Sequence, residues 1–415
     1  MERRNLALLC AGVVCFWLFA LAFGTAQGRG LHIDQPLQAA AAPAAQPTVE
    51  FQPAAAAPEL NLNCRAAILM DQDSGTVLYE KNADQQMPIA SITKVMTLLL
   101  TFEAVHEGRL TMETPVPVSE HAYHMGGSQI WLEPGEQFTL DEMIKAICVS
   151  SANDAAVAVA ELVGGSEPAF VERMNARAAE LGMEHTTFHN ACGLDTEGHL
   201  STARDVAVMS RTILTTCPEV LHYTGIWTDT LRGGQTQLVN TNKLLRRYNG
   251  ITGLKTGTTS GAGVCISASA TRDELNLLAV VLGAPSSKDR FEAATTLLDY
   301  GFGAYRAVPL PTPEDRPLQL KVTASAEDTV PLDYTALPQT VLLPAENAGQ
   351  LTVQLDLPEA LEAPVEQGQT VGTVRVSCGE VLQGEYPVCA AADAPRMDFD
   401  TAWRLLWGSL TGQNG

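Results

Sequence analysis

Residues Pro88–Thr97 read PIASITKVMT, and the interpretation of the whole chain starts from them. Apolar residues recur here and beyond at helical spacing, which predicts a buried helix that runs to about Val105. Ser91 and Lys94 are three residues apart, so their side chains rise from one face of that helix. A serine becomes a nucleophile when a base takes its proton, and a lysine can be that base only when neutral. Taken alone, however, Ser-x-x-Lys equally describes a capping serine and a lysine at the edge of a core helix.

Two later motifs favour the catalytic interpretation. Ser151-Ala152-Asn153 lies at the predicted entry to a helix, and Lys255-Thr256-Gly257 begins a predicted strand after a glycine turn. Each motif is commonplace alone, the first as a helix cap and the second as a turn. Together with Ser-x-x-Lys, in this order, they are the motif set of the penicillin-binding proteins and β-lactamases. The combination indicates nucleophilic acyl transfer.

The chain resembles the low-molecular-mass penicillin-binding proteins, and among them the serine D-alanyl-D-alanine carboxypeptidases. The likeness covers about residues 63–389. It rests on the three motifs and on connecting segments at Gly127-Ser128-Gln129, Asn190–Asp195 and Ser201–Asp205. Thr258 is a departure, because many members carry His at that position.

The resemblance implies a mechanism of two acyl transfers. Ser91 would attack the carbonyl between the two terminal D-alanines of a peptidoglycan stem peptide, and Lys94 would take its proton. Ser151 would relay a proton to the leaving D-alanine, while Asn153 would bind the substrate amide and help to hold Lys94. The remaining substrate-binding residues would be Lys255, Thr256, Gly257 and Thr258. Water would release the acyl-enzyme, and β-lactams would enter the same cycle as inhibitors.

Three other functions stay open. A class A β-lactamase shares the motifs but needs a positioned Glu, usually in Glu-x-x-Leu-Asn after the Ser-x-Asn motif, and no such sequence follows Asn153. A DD-endopeptidase would use the same residues. A non-catalytic wall-binding scaffold would retain the fold without the activity, and the intact motif set argues against it.

No cofactor or metal is expected. The sequence has no Cys-x-x-Cys pair and no phosphate-binding glycine loop. His121 and His124 are three residues apart, but surface histidines explain them better than a metal site does. Among the nine cysteines, Cys378 and Cys389 could pair across one hairpin, and most others are expected to be small buried residues.

Composition and the N-terminus indicate an exported globular protein. The 415 residues are 46% apolar and 18% charged, and the net charge of −21 argues against nucleic acid as a partner. Arg3 and Arg4 precede an apolar run, Leu6–Phe23, in the order of a secretory signal peptide. The run is nearly long enough to remain as an uncleaved anchor. We expect the protein at the outer face of the cytoplasmic membrane or in the cell wall.

The order of predicted elements indicates an α+β fold, in which an antiparallel sheet is flanked by a helical subdomain. The resemblance implies that this part is a penicillin-binding/β-lactamase-like catalytic domain. Five segments are expected: residues 1–26 as signal peptide or anchor, 27–60 as an Ala/Pro-rich linker, 61–306 as the catalytic domain, 307–391 as a small β-sandwich domain, and 392–415 as a C-terminal amphipathic segment. Helices are predicted at 140–149, 154–163, 167–181, 203–214 and 291–300, and residues 116–130 are expected to form a loop. The last segment places Phe399, Trp403 and Trp407 on one helical face, which favours contact with a membrane surface over a span.

Overall fold

A computed structural model of the chain describes residues 58–311, 316–347, 351–399, 401–403 and 407. The strands in these ranges are β1 Ala66–Asp71, β2 Val77–Lys81, β3 Pro115–Pro117, β4 Gln137–Thr139, β5 Thr228–Leu231, β6 Thr236–Val239, β7 Ile251–Thr259, β8 Gly263–Arg272, β9 Leu275–Ala284, β10 Tyr305–Pro309, β11 Gln319–Thr323, β12 Thr329–Asp333, β13 Thr340–Pro344, β14 Leu351–Asp356, β15 Ala360–Glu362, β16 Thr370–Cys378 and β17 Val381–Ala390. The helices are α1 Lys94–His106, α2 Glu120–Tyr123, α3 Leu140–Val149, α4 Asn153–Gly164, α5 Glu167–Glu180, α6 Ala203–Thr216, α7 Val220–Thr224 and α8 Ser287–Ala304. In these ranges we find no helix with both the length and the apolar character that crossing a membrane requires.

A five-stranded antiparallel sheet organises the first part of the chain, in the order β2-β1-β9-β8-β7. Successive residues of a strand point to opposite faces. Ile68 and its cross-strand partner Val280 therefore pack under the helices between β2 and β7, whereas Leu69 and Val281 pack against α8. Both faces are covered, and β7 is left as an edge strand beside the helical block.

The helical block is built around α4, whose sequence NDAAVAVAELVG is buried along most of its length. A helix that is apolar on all sides belongs in a core, and its alanines let neighbouring helices approach closely. α3 begins with a capping box, in which Thr139 Oγ1 accepts from the backbone N–H of Glu142 and the Glu142 carboxylate accepts from the N–H of Thr139. Such a cap contributes about 1 kcal/mol to helix stability. The capping box thereby fixes the start of α3, the helix that precedes α4.

The second part of the chain is all β. A six-stranded sheet has the order β14-β16-β17-β12-β11-β15, and β10 pairs with β13 in a second, two-stranded sheet. Val330, Leu343, Val376 and Val388 form part of the core of this region. The predicted α+β arrangement, an antiparallel sheet with a helical block followed by an all-β region, is confirmed.

Two local predictions are wrong. Residues 116–130, expected as a loop, contain the end of β3 and the short helix α2, because β3 pairs with β4 about twenty residues further on and that pairing is tertiary. A disulfide between Cys378 and Cys389 is excluded by the register of the β16–β17 hairpin. Cys378 lies opposite Val381 and Cys389 lies opposite Thr370, at the other end of the ladder.

The predicted C-terminal helix is only partly described. Phe399, Trp403 and Trp407 are each more than half exposed, and their rings stack with centroids 6.3 and 6.1 Å apart. Residues 400, 404–406 and 408–415, together with the predicted signal peptide and most of the linker in 1–57, lie outside the described residues.

Candidate active site

Ser91 lies in a single 3-10 turn, Ala90–Thr93, directly before α1. Ala90 has a φ of 49°, in the left-handed region that residues with a Cβ rarely occupy. Two glycines allow other segments to close on this turn: an added Cβ at Gly193 would lie 2.0 Å from the Ala90 carbonyl oxygen, and one at Gly257 would lie 3.0 Å from the Ser91 nitrogen. The turn is therefore wedged between β7 and the segment around Gly193.

Lys94, the first residue of α1, is fully buried. Its Nζ donates to Ser91 Oγ at 2.9 Å, to Asn153 Oδ1 at 2.6 Å and to the Cys192 carbonyl at 2.7 Å. Burial lowers the pKa of Lys94 to about 8. A minor part of the Lys94 side chains is thus neutral near pH 7, held at hydrogen-bond distance from the serine hydroxyl.

Asn153 begins α4 and is oriented by the loop that precedes α3. Its Nδ2 donates to the Gly126 carbonyl at 2.7 Å, which leaves Oδ1 to face Lys94, and its backbone N–H donates to the Ser128 carbonyl at 2.7 Å. The next residue, Asp154, is fully buried and accepts from the backbone N–H groups of Ile130 and Leu132. The start of α4 thus fixes both the amide beside Lys94 and the loop at the rim.

Lys255 on β7 forms a second buried cluster with Ser151. Its Nζ donates to Ser151 Oγ at 2.7 Å and to the Thr256 carbonyl at 2.9 Å. Ser151 is buried and has a φ of 59°, a further left-handed residue at the site. Burial first, and repulsion from Lys94 second, lower the pKa of Lys255 well below its usual value. Two ammonium groups in one dry site repel each other, so the pair favours a single positive charge.

The predicted site residues fall into two hydrogen-bonded groups, Ser91–Lys94–Asn153 and Ser151–Lys255–Thr256, and in the described part of the chain no hydrogen bond joins the two groups. Gly257 brings the two groups together, because it contacts the Ala90–Thr93 turn that carries Ser91. This turn is called the nucleophile turn below, after the predicted role of Ser91. Thr256 Oγ1 lies 2.6 Å from Thr241 Oγ1. Thr258 is exposed, and its hydroxyl donates to the Gly257 carbonyl at 2.8 Å instead of to either group.

Arg290, on α8, was not predicted. Its Nη1 donates to the carbonyls of Gly257 and Cys265, at 3.4 and 3.1 Å, and its Nε is buried without a partner among the described residues. No described carboxylate forms an ion pair with it, and burial lowers its pKa to about 10. A buried guanidinium without a counter-ion beside β7 is suited to an anionic ligand. Nothing in the sequence distinguishes it from an ordinary arginine in the first turns of a helix.

His199 was also missed. Its Nδ1 accepts the backbone N–H of His189 at 3.2 Å, so its Nε2 carries the proton and donates to Thr93 Oγ1 at 2.8 Å. Burial lowers the pKa of His199 to about 4, which keeps the ring neutral. His199 therefore holds the last residue of the nucleophile turn, Thr93, by a hydrogen bond.

Other sequence interpretations can now be placed. The pattern Glu-x-x-Leu-Asn does occur once, at Glu59–Asn63, but it precedes β1, and Leu62 packs in the core on the α8 side of the sheet, away from the nucleophile turn. His121 is a half-exposed residue whose Nε2 lies 2.6 Å from Glu167 Oε2, as expected of a surface histidine. The site itself presents hydroxyl, amide and ammonium groups, which are not a metal-binding set.

Comparisons with known proteins agree with this geometry. The family described as D-alanyl-D-alanine carboxypeptidase matches residues 52–286, and the family described as penicillin-binding protein 5, C-terminal domain, matches residues 311–396. D-alanyl-D-alanine carboxypeptidase DacF of Bacillus subtilis is 39% identical over 358 residues, which cover 85% of this chain and 91% of that relative.

Solved structures give the same result. Penicillin-binding protein 5 from Haemophilus influenzae superposes with a TM-score of 0.71 at 27% identity, over 82% of this chain and 99% of that one. Penicillin-binding protein D2 from Listeria monocytogenes, in its ampicillin-bound form, is 35% identical with a TM-score of 0.54, over 59% of this chain and all of that one, at 100%. The chain therefore belongs to the D-alanyl-D-alanine carboxypeptidase family of serine peptidases, the low-molecular-mass penicillin-binding proteins.

Proposed function

We propose that Ser91 is the nucleophile with which this carboxypeptidase removes the terminal D-alanine from peptidoglycan stem peptides. The observation that carries the proposal is the buried Lys94 ammonium, which contacts Ser91 Oγ, Asn153 Oδ1 and the Cys192 carbonyl at once. This arrangement fixes a base of lowered pKa against a hydroxyl group, as general-base activation of a serine requires.

In the acylation step, neutral Lys94 takes the proton of Ser91 Oγ as that oxygen bonds to the carbonyl carbon between the two D-alanines. The oxyanion that forms is placed against the backbone N–H groups of Ser91 and Thr258. The close approach of Gly257 to the Ser91 nitrogen supports this assignment, because it sets β7 alongside the nucleophile. Loss of one such donor typically slows the reaction ~100–1,000-fold.

The leaving D-alanine needs a proton on its nitrogen as the C–N bond breaks. Ser151, whose hydroxyl is held by the Lys255 ammonium at 2.7 Å, would deliver it. The proton that Lys94 took from Ser91 would then pass to Ser151, which leaves Lys94 neutral for the next step. Water then attacks the acyl-enzyme, with Lys94 again as the base, and Ser91 leaves as the free hydroxyl.

The free carboxylate of the last D-alanine explains the positive charge that gathers at β7. Lys255 and the hydroxyls of Thr256 and Thr258 belong to this strand, and Arg290, which forms no ion pair within the described residues, donates to its Gly257 carbonyl. An anion bound here favours the charged form of Lys255, and the charge on Lys255 in turn favours the neutral form of Lys94. Substrate binding and base activation are thereby coupled.

The substrate backbone fits the free edge of β7. An edge strand presents unpaired N–H and C=O groups, and an extended peptide can add to it as a further strand. Asn153 is held by Lys94 at Oδ1 and by the Gly126 carbonyl at Nδ2, and the second hydrogen of Nδ2 would bind the substrate amide.

A β-lactam would acylate Ser91 in the same way and stall, because no Glu of the Glu-x-x-Leu-Asn type follows Asn153 to activate water. The ampicillin-bound form of the Listeria relative supports this part of the proposal. A DD-endopeptidase acting on cross-links remains the second candidate, since it would use the same residues.

We place the protein outside the cytoplasmic membrane, with the predicted segments 1–26, 27–60, 61–306, 307–391 and 392–415 in the roles given above. The exposed, stacked rings of Phe399, Trp403 and Trp407 support contact of the last segment with a membrane surface.

The decisive experiment incubates the purified protein with a stem pentapeptide that ends in D-Ala-D-Ala and measures released D-alanine. The same peptide ending in L-alanine serves as the substrate control, and Ser91→Ala as the enzyme control. We expect release from the first peptide only, and covalent labelling by a fluorescent penicillin that Ser91→Ala abolishes.

The alternatives give different results. Cleavage of a cross-linked muropeptide dimer in preference to the pentapeptide would indicate the endopeptidase. Rapid catalytic destruction of the penicillin would indicate a β-lactamase. If the folded protein neither releases D-alanine nor is labelled by the penicillin, only the non-catalytic wall-binding scaffold remains.

A further inference from the structure

We infer that His106, Cys217 and Glu219 form a binding site for a divalent zinc-like cation, remote from the catalytic serine. His106 is the last residue of α1, Cys217 directly follows α6, and Glu219 directly precedes α7. Their Nε2, Sγ and carboxylate oxygen atoms all lie within 4.8 Å of one another. In the described part of the chain this is the one group of three such side chains with this proximity.

The three ligand types are those of zinc sites. Imidazole nitrogen, thiolate sulfur and carboxylate oxygen bind Zn²⁺ at about 2.0–2.3 Å, which places the ligand atoms of a tetrahedral site roughly 3.5 Å apart. His106 Nε2 and Glu219 Oε1 are 2.5 Å apart, so an ion would enter by replacing their hydrogen bond. Rotations of side chains at the surface suffice, because His106 and Glu219 are 47% and 38% exposed.

The local electrostatics favour a cation. α1 and α6 both end here, and the C-terminus of a helix carries partial negative charge. Glu219 contributes a carboxylate to the cluster, and the Glu103 carboxylate is paired with Arg177. A bound divalent ion stabilises the thiolate of a coordinating cysteine.

Binding is balanced by the release of a proton. The thiol of Cys217 loses its proton to solvent as the sulfur–metal bond forms, and the imidazole and the carboxylate each bind through a lone pair. The fourth position is left to water, because two of the three ligands face solvent. The ion would join the end of the helix that begins at Lys94 to the connection between α6 and α7.

The test uses tag-free, chelator-treated protein under reducing conditions and titrates Zn²⁺ by calorimetry in buffers of different ionisation enthalpy. We expect one ion per chain, with about one proton released near neutral pH. Co²⁺ in place of Zn²⁺ should give the charge-transfer absorption of a thiolate–cobalt bond. His106→Gln and Cys217→Ser should each weaken Zn²⁺ binding by at least the ~10–100-fold that loss of a supporting residue costs.

Matched controls are available on the same chain. Cys64→Ser and His124→Gln alter a cysteine and a histidine outside the cluster and should bind Zn²⁺ as the parent does. Labelling by fluorescent penicillin reports whether each variant is folded. If Cys217→Ser does not fold, His106→Gln still tests the site, because it changes an exposed side chain. Equal Zn²⁺ affinity in His106→Gln and the parent, or no cobalt–thiolate band, would overturn the inference without bearing on the peptidase.

Discussion

Lys94 shows how burial changes the acid–base properties of a lysine. It occupies the start of a core helix, where an ammonium group is costly, and three oxygen acceptors hold it there. Since its pKa falls to about 8, the folded protein binds its proton less tightly than the unfolded chain does. Stability is therefore lost as the pH falls from 10.5 to about 8, and the full loss persists at lower pH.

The pKa of Lys94 predicts the pH dependence of acylation. A lysine is protonated below its pKa and neutral above it, so the rate constant for penicillin acylation should rise roughly tenfold per pH unit and level off above about pH 8. Lys94→Arg, which stays charged, should lower the rate by ~100–10,000-fold while its circular dichroism is unchanged. A flat profile, or an active arginine variant, would contradict this role.

His199 is expected to act by positioning. His199→Ala removes the donor to Thr93 Oγ1 and should lower kcat for D-alanine release while leaving KM nearly unchanged, because the nucleophile turn moves and the carboxylate-binding groups do not. His199→Gln keeps an N–H near the position of Nε2 and should recover part of the loss. A purely structural role would lower the amount of folded protein in both variants and leave kcat per labelled molecule as in the parent.

The motif residues could be read from the sequence because each chemical role demands one residue type at a short, fixed spacing. Ser91 with Lys94, and Ser151 with Asn153, are close along the chain, so local geometry carries the signal. Arg290 and His199 could not be found in this way, since their partners are 33 and 106 residues away and only the fold joins them.

Among the elements, prediction succeeded where local interactions fix the ends. α3 was predicted with its observed bounds, because the capping box at Thr139 and Glu142 is visible in the sequence. α8 starts at Ser287, four residues before the predicted start, since its first turn is polar and only the Ser286 cap marks it. β3 has three residues and no periodicity to detect, so its pairing with β4 was missed.

The close contact between the Gly193 segment and the nucleophile turn gives a prediction at this scale. Gly193→Ala would place a Cβ 2.0 Å from the Ala90 carbonyl at a φ of 85°, so the turn has to move. We expect a loss of ~1–3 kcal/mol in the free energy of unfolding, as for other strained backbone positions, measured with denaturant. Acylation should fall by at least the ~100-fold that a misplacement of about 1 Å can cause.

Gly182→Ala is the matched control. Gly182 also has a left-handed φ, of 72°, but no atom lies within 4 Å of the added Cβ. It should lose about 1 kcal/mol for the backbone conformation alone and keep the parent rate of acylation. Equal rates for the two alanine variants would show that the Gly193 contact does not position Ser91.

At the scale of the whole molecule, the spacing of apolar residues predicted the two-part architecture. A region with both helices and strands comes first, and short antiparallel strands follow it. This spacing could not predict the order of strands, because β1 lies between β2 and β9, about two hundred residues apart in sequence. Nor could it exclude the Cys378–Cys389 pair, whose separation follows from the hairpin register.

The terminal segment is testable at this scale. With residues 1–26 absent from both proteins, the chain that ends at Gly415 should sediment with phosphatidylglycerol vesicles, and the chain that ends at Pro395 should stay in the supernatant. Burial of Phe399, Trp403 and Trp407 in the interface supplies the binding free energy. Release of D-alanine from the soluble peptide should be the same for both. Equal sedimentation would show that the aromatic face is not the membrane contact.

The residues of this site are spread along the chain from Ser91 to Arg290. The nucleophile turn keeps its shape only while β7 and the Gly193 segment contact it and His199 is hydrogen-bonded to it. A partly unfolded or clipped chain would retain Ser91 and lose its reactivity. The fraction of chains that a fluorescent penicillin labels therefore measures the fraction of correctly folded protein. The measurement can be made in a crude extract, without purification and without an antibody.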